Sequence, residues 1–182
     1  MNLDICDEIA EKLLLETNTS ERTVLFDGEH DVYTMSFSFT KYGIEELLKN
    51  YDYLKPFIDE AVDTDIYNVF WLNSLIIGNG QEVQEHKDCS IGRRTNVSIM
   101  ADRVTVLYVK VPSDMIGGKL RIHRPYHIET VKPETGKLVT FKCYPHAVEQ
   151  VITTGKRISL VLESYYLDEV DFAKVPKYTK EV

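Results

Sequence analysis

The 182-residue chain has the size of one folded domain. Its residues are 43% hydrophobic and 27% charged, a composition that excludes a disordered or fibrous protein. Acidic residues outnumber basic ones by 29 to 21, which gives a formal net charge of −8 and argues against a protein that coats nucleic acid. The most apolar stretch, residues 69–77, is too short to span a bilayer, which needs about 20 residues.

The cysteines indicate a reducing compartment. Cys6, Cys89 and Cys143 are odd in number, far apart and without a Cys-x-x-Cys pair, which fits neither a disulfide framework nor a zinc finger. The acidic first residues lack the basic region and apolar run of a secretory signal. We therefore expect a cytoplasmic protein with free thiols and no membrane partner.

The first third of the chain is predicted to form a mostly helical support. The apolar side chains of the first fifteen residues have near-helical spacing, at Leu3, Ile5, Ile9, Leu13 and Leu14. Two strands, Val24–Phe26 and Val32–Phe39, follow with an Asp27-Gly28 turn signal after the first. Residues 41–62 again have a helical pattern, with Pro56 as a break.

From residue 66 onward the sequence is rich in Val, Ile, Thr and Tyr and divides into short strands separated by turn signals. The predicted strands are 66–77, 82–88, 97–111, 118–123, 127–131, 137–142, 146–152 and 157–166. Such strands without intervening helices predict a mainly β antiparallel sandwich or barrel. We expect a single domain with a support (1–65), a β core (66–166) and a polar tail (167–182) that forms a loose end.

Two short motifs in this β region have side chains suited to metal and carboxylate binding. In a strand, His86 and Asp88 would project from the same face, because side chains alternate with a period of two. His146 opens a later predicted strand, and two histidines with one carboxylate can occupy one face of an iron octahedron. Arg157 and Ser159 share a face of the last strand, where an arginine can hold a carboxylate in a bidentate grip.

The order His-x-Asp, a long interval, His, a short interval and Arg-x-Ser resembles the iron(II)- and 2-oxoglutarate-dependent dioxygenases, in particular their prolyl 4-hydroxylase-like branch. The similarity spans roughly residues 70–166 and includes Gly117-Gly118-Lys119-Leu120 and the segment Pro133–Phe141. It implies a double-stranded β-helix (jelly-roll) with about eight antiparallel strands. It also implies Fe(II), 2-oxoglutarate and O2 as cofactors, with ascorbate as a supporting reductant. By this resemblance the iron ligands are His86, Asp88 and His146, while Arg157 and Ser159 bind 2-oxoglutarate.

The sequence departs from the family pattern at two positions. Many relatives have a Tyr where this chain has Ile77, so one expected contact to cosubstrate or substrate is missing or relocated. The interval between His146 and Arg157 is one residue longer than in close relatives, which leaves Lys156 as an alternative anchor for 2-oxoglutarate. A second possible 2-oxoglutarate contact is Tyr108, on a strand expected to line the barrel.

Two further features lie near the predicted ligand Asp88. The pair Arg93-Arg94 either touches substrate at the pocket mouth or forms a solvated loop. Cys89 is expected to be a small buried residue.

The resemblance implies a hydroxylase that couples oxidative decarboxylation of 2-oxoglutarate to hydroxylation of a C–H bond. The retained carboxylate of Asp88 favours hydroxylation, since related halogenases have Gly or Ala there. A prolyl or other residue of a peptide is the first expected substrate, and a free amino acid or small metabolite is the alternative. Nucleic acid is disfavoured, because alkylation-repair relatives have a second Arg where this chain has Glu163. A non-catalytic module that binds iron, 2-oxoglutarate or carbohydrate stays open.

Overall fold

The computed structural model describes residues 1–17, 35–92 and 99–181. Its helices are α1 (Leu3–Thr17), α2 (Ile44–Asn50), α3 (Lys55–Ala61) and α4 (Glu169–Phe172), with a 3-10 turn at Asp52–Leu54. Its strands are β1 (Ser36–Thr40), β2 (Val69–Ile77), β3 (Val83–His86), β4 (Arg103–Lys110), β5 (Ile116–Gly117), β6 (Leu120–Arg124), β7 (His127–Val131), β8 (Leu138–Lys142), β9 (His146–Val148), β10 (Val151–Ile152), β11 (Arg157–Tyr165) and β12 (Tyr178–Glu181).

These strands form antiparallel sheets, as the sequence predicts. The larger sheet has six strands in the order β12-β1-β2-β11-β4-β8, and the smaller has four in the order β3-β9-β6-β7. The short strands β5 and β10 pair separately. The prediction of a mainly β, antiparallel fold is therefore confirmed.

The central strands β2, β4 and β11 of the six-stranded sheet are buried on both faces. One face of β11 presents Ile158, Leu160 and Leu162 to a core shared with the N-terminal helices, including Leu13 of α1 and Phe57 of α3. We call this the outer core. The predicted N-terminal helical support is present here, because α1, α2 and α3 all contribute buried side chains.

The opposite face of the six-stranded sheet packs against the four-stranded sheet. Val104 and Val106 of β4 share a buried cluster with Leu120 and Ile122 of β6, which we call the inner core. Alternation along β11 directs Arg157, the first residue of that strand, toward this inner side, because its neighbour Ile158 belongs to the outer core.

Several predicted boundaries shift. The predicted helical stretch 41–62 is divided into α2, a 3-10 turn and α3, and Pro56 lies in the first turn of α3, where proline is tolerated. The predicted strand 146–152 is divided into β9 and β10. Strand 24–26 and the Asp27-Gly28 turn lie outside the described residues, and the 32–39 prediction is met by β1 over residues 36–39.

The expectation of a loose tail is wrong. Asp168 accepts hydrogen bonds from the backbone N–H groups of Val170 and Asp171, which caps α4. Strand β12 then pairs with β1 from Ser36↔Glu181 to Phe39↔Tyr178. The C-terminal segment is thus the outermost strand of the six-stranded sheet.

The described residues contain no helix long and apolar enough to cross a membrane. The three cysteines are free thiols, as expected.

Candidate active site

The structure brings His86, Asp88 and His146 together at one end of the four-stranded sheet. His86 is the last residue of β3 and His146 the first of β9, and the two lie directly opposite each other in the β3–β9 pairing. Asp88 follows β3. One ligand atom from each of the three side chains lies within 4.8 Å of the others, close enough for a single metal ion to bind all three.

Both imidazoles are oriented by backbone carbonyls. The Nδ1 of His86 lies 2.8 Å from the carbonyl oxygen of Gln84, and the Nδ1 of His146 lies 2.9 Å from that of Tyr144. A carbonyl can only accept, so each Nδ1 carries the proton and each Nε2 offers a lone pair. This is the arrangement that metal-binding histidines use.

The Nε2 atoms converge on the carboxylate of Asp88. The distances are 3.5 Å from His86 Nε2 to Oδ1 and 3.4 Å from His146 Nε2 to Oδ2. Asp88 is buried, and its Oδ2 makes no hydrogen bond. Burial lowers the pKa of His146 despite the charge of Asp88. At His86 burial also lowers the pKa, but the hydrogen bond to Asp88, the charge of Asp88 and the backbone hydrogen bond at Gln84 together outweigh burial, so the pKa is raised. Two imidazoles around an incompletely bonded carboxylate fit a divalent cation such as Fe(II).

Strand β3 ends at His86, so Asp88 is held by contacts to its backbone carbonyl rather than by strand pairing. The carbonyl oxygen of Asp88 accepts hydrogen bonds from the N–H of Ala101, at 3.0 Å, and from the Sγ of Cys143, at 3.4 Å. Strand alternation, from which a shared face for His86 and Asp88 was predicted, therefore does not place Asp88, which lies beyond the end of β3. The contacts of the Asp88 carbonyl with Ala101 and Cys143 hold this residue beside the two imidazoles.

Arg157 is a buried cation whose hydrogen bonds are incomplete. It is 1% exposed, and it forms no ion pair with an acidic side chain among residues 1–17, 35–92 and 99–181. Its Nη1 donates to the carbonyl oxygen of Gly118 at 2.9 Å, and its Nε has no partner. Burial lowers the pKa of this guanidinium. Since an uncompensated buried charge costs several kcal/mol, the site is suited to an anion.

The glycine pair 117–118 allows the backbone to approach Arg157. Gly117 and Gly118 have φ values of +76° and +65°, which other residues rarely adopt. A Cβ on Gly117 would lie 2.2 Å from the carbonyl oxygen of Gln150. This turn therefore requires glycine, and it places the Gly118 carbonyl against the guanidinium.

Two hydroxyl groups lie beside Arg157 without partners. Tyr108 and Ser159 are directly opposite each other in the β4–β11 pairing, and neither buried hydroxyl makes a hydrogen bond. The Arg157 guanidinium carbon lies 4.9 Å from the centroid of the Tyr108 ring. Ile77, which stands where relatives have a Tyr, is fully buried opposite Arg157 in the β2–β11 pairing. Tyr108 is therefore placed to supply a phenol that Ile77 lacks.

The alternative anchor lies elsewhere. Lys156 is exposed, and its Nζ would lie 2.9 Å from a Cβ built on Gly78, in the turn after β2. Arg157, and not Lys156, is buried on the side of the sheet that faces the inner core.

Other sequence expectations have different outcomes. Arg93 and Arg94 lie outside the described residues. Cys89 is exposed rather than buried, because it follows Asp88 in a surface segment. His123, for which the sequence pattern predicts no role, lies on the outer face of the four-stranded sheet, where its Nδ1 is 2.7 Å from Glu85 Oε2.

Glu163 is a further residue of this region, for which the sequence motifs predicted no role at the site. Its side chain is fully buried on the inner side of β11, opposite Trp71 of β2 and Val104 of β4. Burial, with the nearby charge of Asp88, raises its pKa to about 7. The available signal was a carboxylate on the inward-facing side of β11, four residues after Ser159 and two residues before Tyr165.

Three solved structures share this fold at low sequence identity. A Pseudomonas putida prolyl-4-hydroxylase aligns with a TM-score of 0.59 and 19% identity over 92% of this chain and 89% of its own. A viral collagen prolyl hydroxylase from Paramecium Bursaria Chlorella virus-1, solved with 2-oxoglutarate (2OG), aligns with a TM-score of 0.54 and 18% identity over 92% of both chains. A Trichoplax adhaerens prolyl hydroxylase, in complex with a hypoxia inducible factor peptide fragment, aligns with a TM-score of 0.57 and 15% identity over 93% of this chain and 81% of its own.

These likenesses confirm the predicted double-stranded β-helix. No curated protein sequence matches the chain. A sequence model of the 2OG-Fe(II) oxygenase superfamily, however, matches residues 70–162, about half of the chain, and this range includes all three candidate ligands and Arg157. The chain belongs to the 2OG-Fe(II) oxygenase superfamily and is a dioxygenase that uses Fe(II), 2-oxoglutarate and O2.

Proposed function

We propose that this dioxygenase hydroxylates a prolyl or other residue within a peptide or protein, using His86, Asp88 and His146 to hold Fe(II). The observation that carries the chemistry is the convergence of two imidazole Nε2 atoms on one buried carboxylate, at 3.5 Å and 3.4 Å. Such a two-histidine, one-carboxylate face leaves coordination positions open for cosubstrate and O2.

Arg157 is proposed to bind the distal carboxylate of 2-oxoglutarate. The support is its burial, its unpartnered Nε and the lack of an acidic partner among the described residues. The hydroxyls of Ser159 and Tyr108 are proposed to donate to the same carboxylate, which would satisfy two buried groups that otherwise have no hydrogen bond. Together they would complete a buried anion site of one cation and two donors.

When bound together, Fe(II), 2-oxoglutarate and O2 convert a C–H bond to C–OH while 2-oxoglutarate becomes succinate and CO2. The chain's own residues orient and protect that reaction. The carbonyls of Gln84 and Tyr144 keep the Nδ1 protons in place, so the Nε2 lone pairs remain available to the metal. Buried apolar side chains, Ile77 among them, exclude water from the proposed 2-oxoglutarate site.

The peptide substrate is proposed on the likeness to prolyl hydroxylases, two of which are described as acting on collagen or bound to a peptide fragment. The side chain of His86 is 21% exposed whereas that of His146 is 7% exposed, so the metal site is accessible from the side of β3. An accessible ligand face suits a substrate residue presented on a chain.

The experiment measures succinate from purified protein with Fe(II), 2-oxoglutarate and ascorbate, with and without candidate substrates. The panel contains proline-containing peptides, the same peptides with proline replaced by alanine, and free amino acids. Hydroxylation is detected as a mass gain of one oxygen atom, with labelled O2 to establish its source. Asp88→Ala is the inactive control.

Peptide hydroxylation in step with succinate release is the expected result. Product formation from free amino acids alone would replace the peptide assignment with a small-metabolite hydroxylase. Binding of Fe(II) and 2-oxoglutarate without succinate release under any condition would contradict the proposed hydroxylation.

A further inference from the structure

We propose that Glu163 is a positioning residue for Asp88: it anchors the segment that follows this ligand and thereby sets the affinity of the site for Fe(II). This inference rests on the proposed role of Asp88 as an iron ligand. Glu163 itself is not proposed to touch the metal or 2-oxoglutarate.

The carboxylate of Glu163 accepts hydrogen bonds from Ser90, the second residue after Asp88. The backbone N–H of Ser90 donates to Oε2 at 3.1 Å, and the Ser90 hydroxyl donates to Oε1 at 2.6 Å. The hydroxyl of Tyr165 also donates to Oε2. The backbone N–H of Ile91 in turn donates to that Tyr165 hydroxyl at 3.4 Å, so two consecutive residues of the segment are tied to β11.

These bonds are non-local, since Glu163 is 73 residues from Ser90. They complement the contacts on the other side of the segment, where the Asp88 carbonyl oxygen accepts from Ala101 and Cys143. The segment leaves the regular strand after His86, so neighbouring strands do not hold it by ladder hydrogen bonds. Side-chain anchoring therefore takes the place of strand pairing at this ligand.

Burying a carboxylate is unfavourable, and Glu163 is fully buried among apolar side chains of the sheet. No cation pairs with it among the residues that the structure describes. Its contacts are instead with the segment that carries Asp88 and with Tyr165. Because this unfavourable burial is accompanied by hydrogen bonds to the segment after Asp88, we assign to the Glu163 carboxylate the role of holding Asp88 in position.

The test measures metal binding alone, by anaerobic titration of the metal-free protein with Fe(II) and separately with Mn(II), without 2-oxoglutarate or substrate. The variants are Glu163→Ala, Glu163→Gln and Ser90→Ala. Ser164→Ala is the matched control, because Ser164 is the next residue of β11, is equally buried and faces the other side of the sheet. Thermal unfolding of each variant verifies the fold.

We expect Glu163→Ala to weaken metal binding at least about tenfold, the lower end of the usual effect of losing a residue that orients a metal ligand. Glu163→Gln should recover binding to within about threefold of the parent, because its amide oxygen still accepts from the Ser90 N–H while the Ser90 hydroxyl can turn to accept. Ser90→Ala should weaken binding about fivefold, since it removes one of the two bonds. Ser164→Ala should bind as the parent does.

Unchanged affinity in a folded Glu163→Ala protein would overturn the proposal, as would a Gln variant as weak as the Ala variant. If Glu163→Ala does not fold, Ser90→Ala settles the matter, because parent-like binding there contradicts an anchoring role. Failure of the parent protein itself to bind either metal would instead refute the proposed iron site, so the two failures are distinguishable.

Discussion

Replacing Arg157 by alanine gives a sharp test of the proposed 2-oxoglutarate site. The guanidinium is 1% exposed, so solvent would screen its attraction to a bound carboxylate very little. Removing one partner of a buried, hydrogen-bonded charge pair costs about 2–5 kcal/mol. Because 1.4 kcal/mol corresponds to a factor of about ten, the lower bound of about 2 kcal/mol predicts that the Kd for 2-oxoglutarate rises about 30-fold or more.

The assay titrates 2-oxoglutarate anaerobically into the metal-bound protein and measures its Kd, and the apparent KM for 2-oxoglutarate from succinate release is measured beside it. Affinity for the metal itself should be nearly unchanged, because Arg157 is not a proposed ligand. Arg157→Lys should be intermediate, since it keeps the charge and loses the planar fork. The control is Lys156→Ala, an exposed neighbour that should behave like the parent. If Lys156→Ala weakens 2-oxoglutarate binding and Arg157→Ala leaves it unchanged, the reasoning is refuted, and Lys156 rather than Arg157 binds the cosubstrate carboxylate.

Further predictions test the metal site and the packing around it. Alanine at each candidate iron ligand should abolish metal binding and succinate release while the thermal unfolding temperature stays near that of the parent. The control His123→Ala, on the outer face, should keep both metal binding and succinate release. Full activity with stoichiometric iron in a ligand variant would contradict the role of that ligand. Gly43→Ala should lower Tm by several degrees, because its Cβ would lie 1.7 Å from the Lys177 carbonyl oxygen and the required backbone shift costs about 1–3 kcal/mol of stability. In the control Gly78→Ala the new Cβ meets only the flexible end of the Lys156 side chain, so its Tm should equal that of the parent. In urea unfolding, Leu13→Ala should lower the free energy of unfolding by about 2–5 kcal/mol, and Leu15→Ala, at an exposed position, by no more than about 0.5 kcal/mol. Equal decreases would contradict the packing of α1 against the sheet.

Features that depend on local pattern were predictable from the sequence. Helix α1 follows from apolar side chains at helical spacing, and β7 matches the predicted 127–131. Alternation along the last strand placed Arg157 and Ser159 on one face, and both are buried on that face although the pairing of β11 with β4 is irregular between Ile158 and Ser159. Side-chain direction within a regular strand is a property of the backbone itself, so residue spacing suffices.

Features that depend on distant residues required the tertiary structure. Strand β3 ends at His86, so the position of Asp88 depends on Ala101 and Cys143, which no local period could indicate. The sequence left Lys156 and Arg157 as alternatives, and only the pairing of β11 with its neighbours shows that Arg157 is buried and Lys156 exposed.

The tail and Glu163 show the same limit. Polar residues at 178–181 gave no local strand signal, yet β1 offers them an unpaired edge whose hydrogen-bonding groups are satisfied by the added strand. Alternation along β11 could place the Glu163 side chain on the same face as Arg157 and Ser159, but its partner Ser90 is 73 residues away. Only folding the chain brings such pairs together, because the free energy of these contacts comes from burial and hydrogen bonding between segments rather than from the preference of either segment alone.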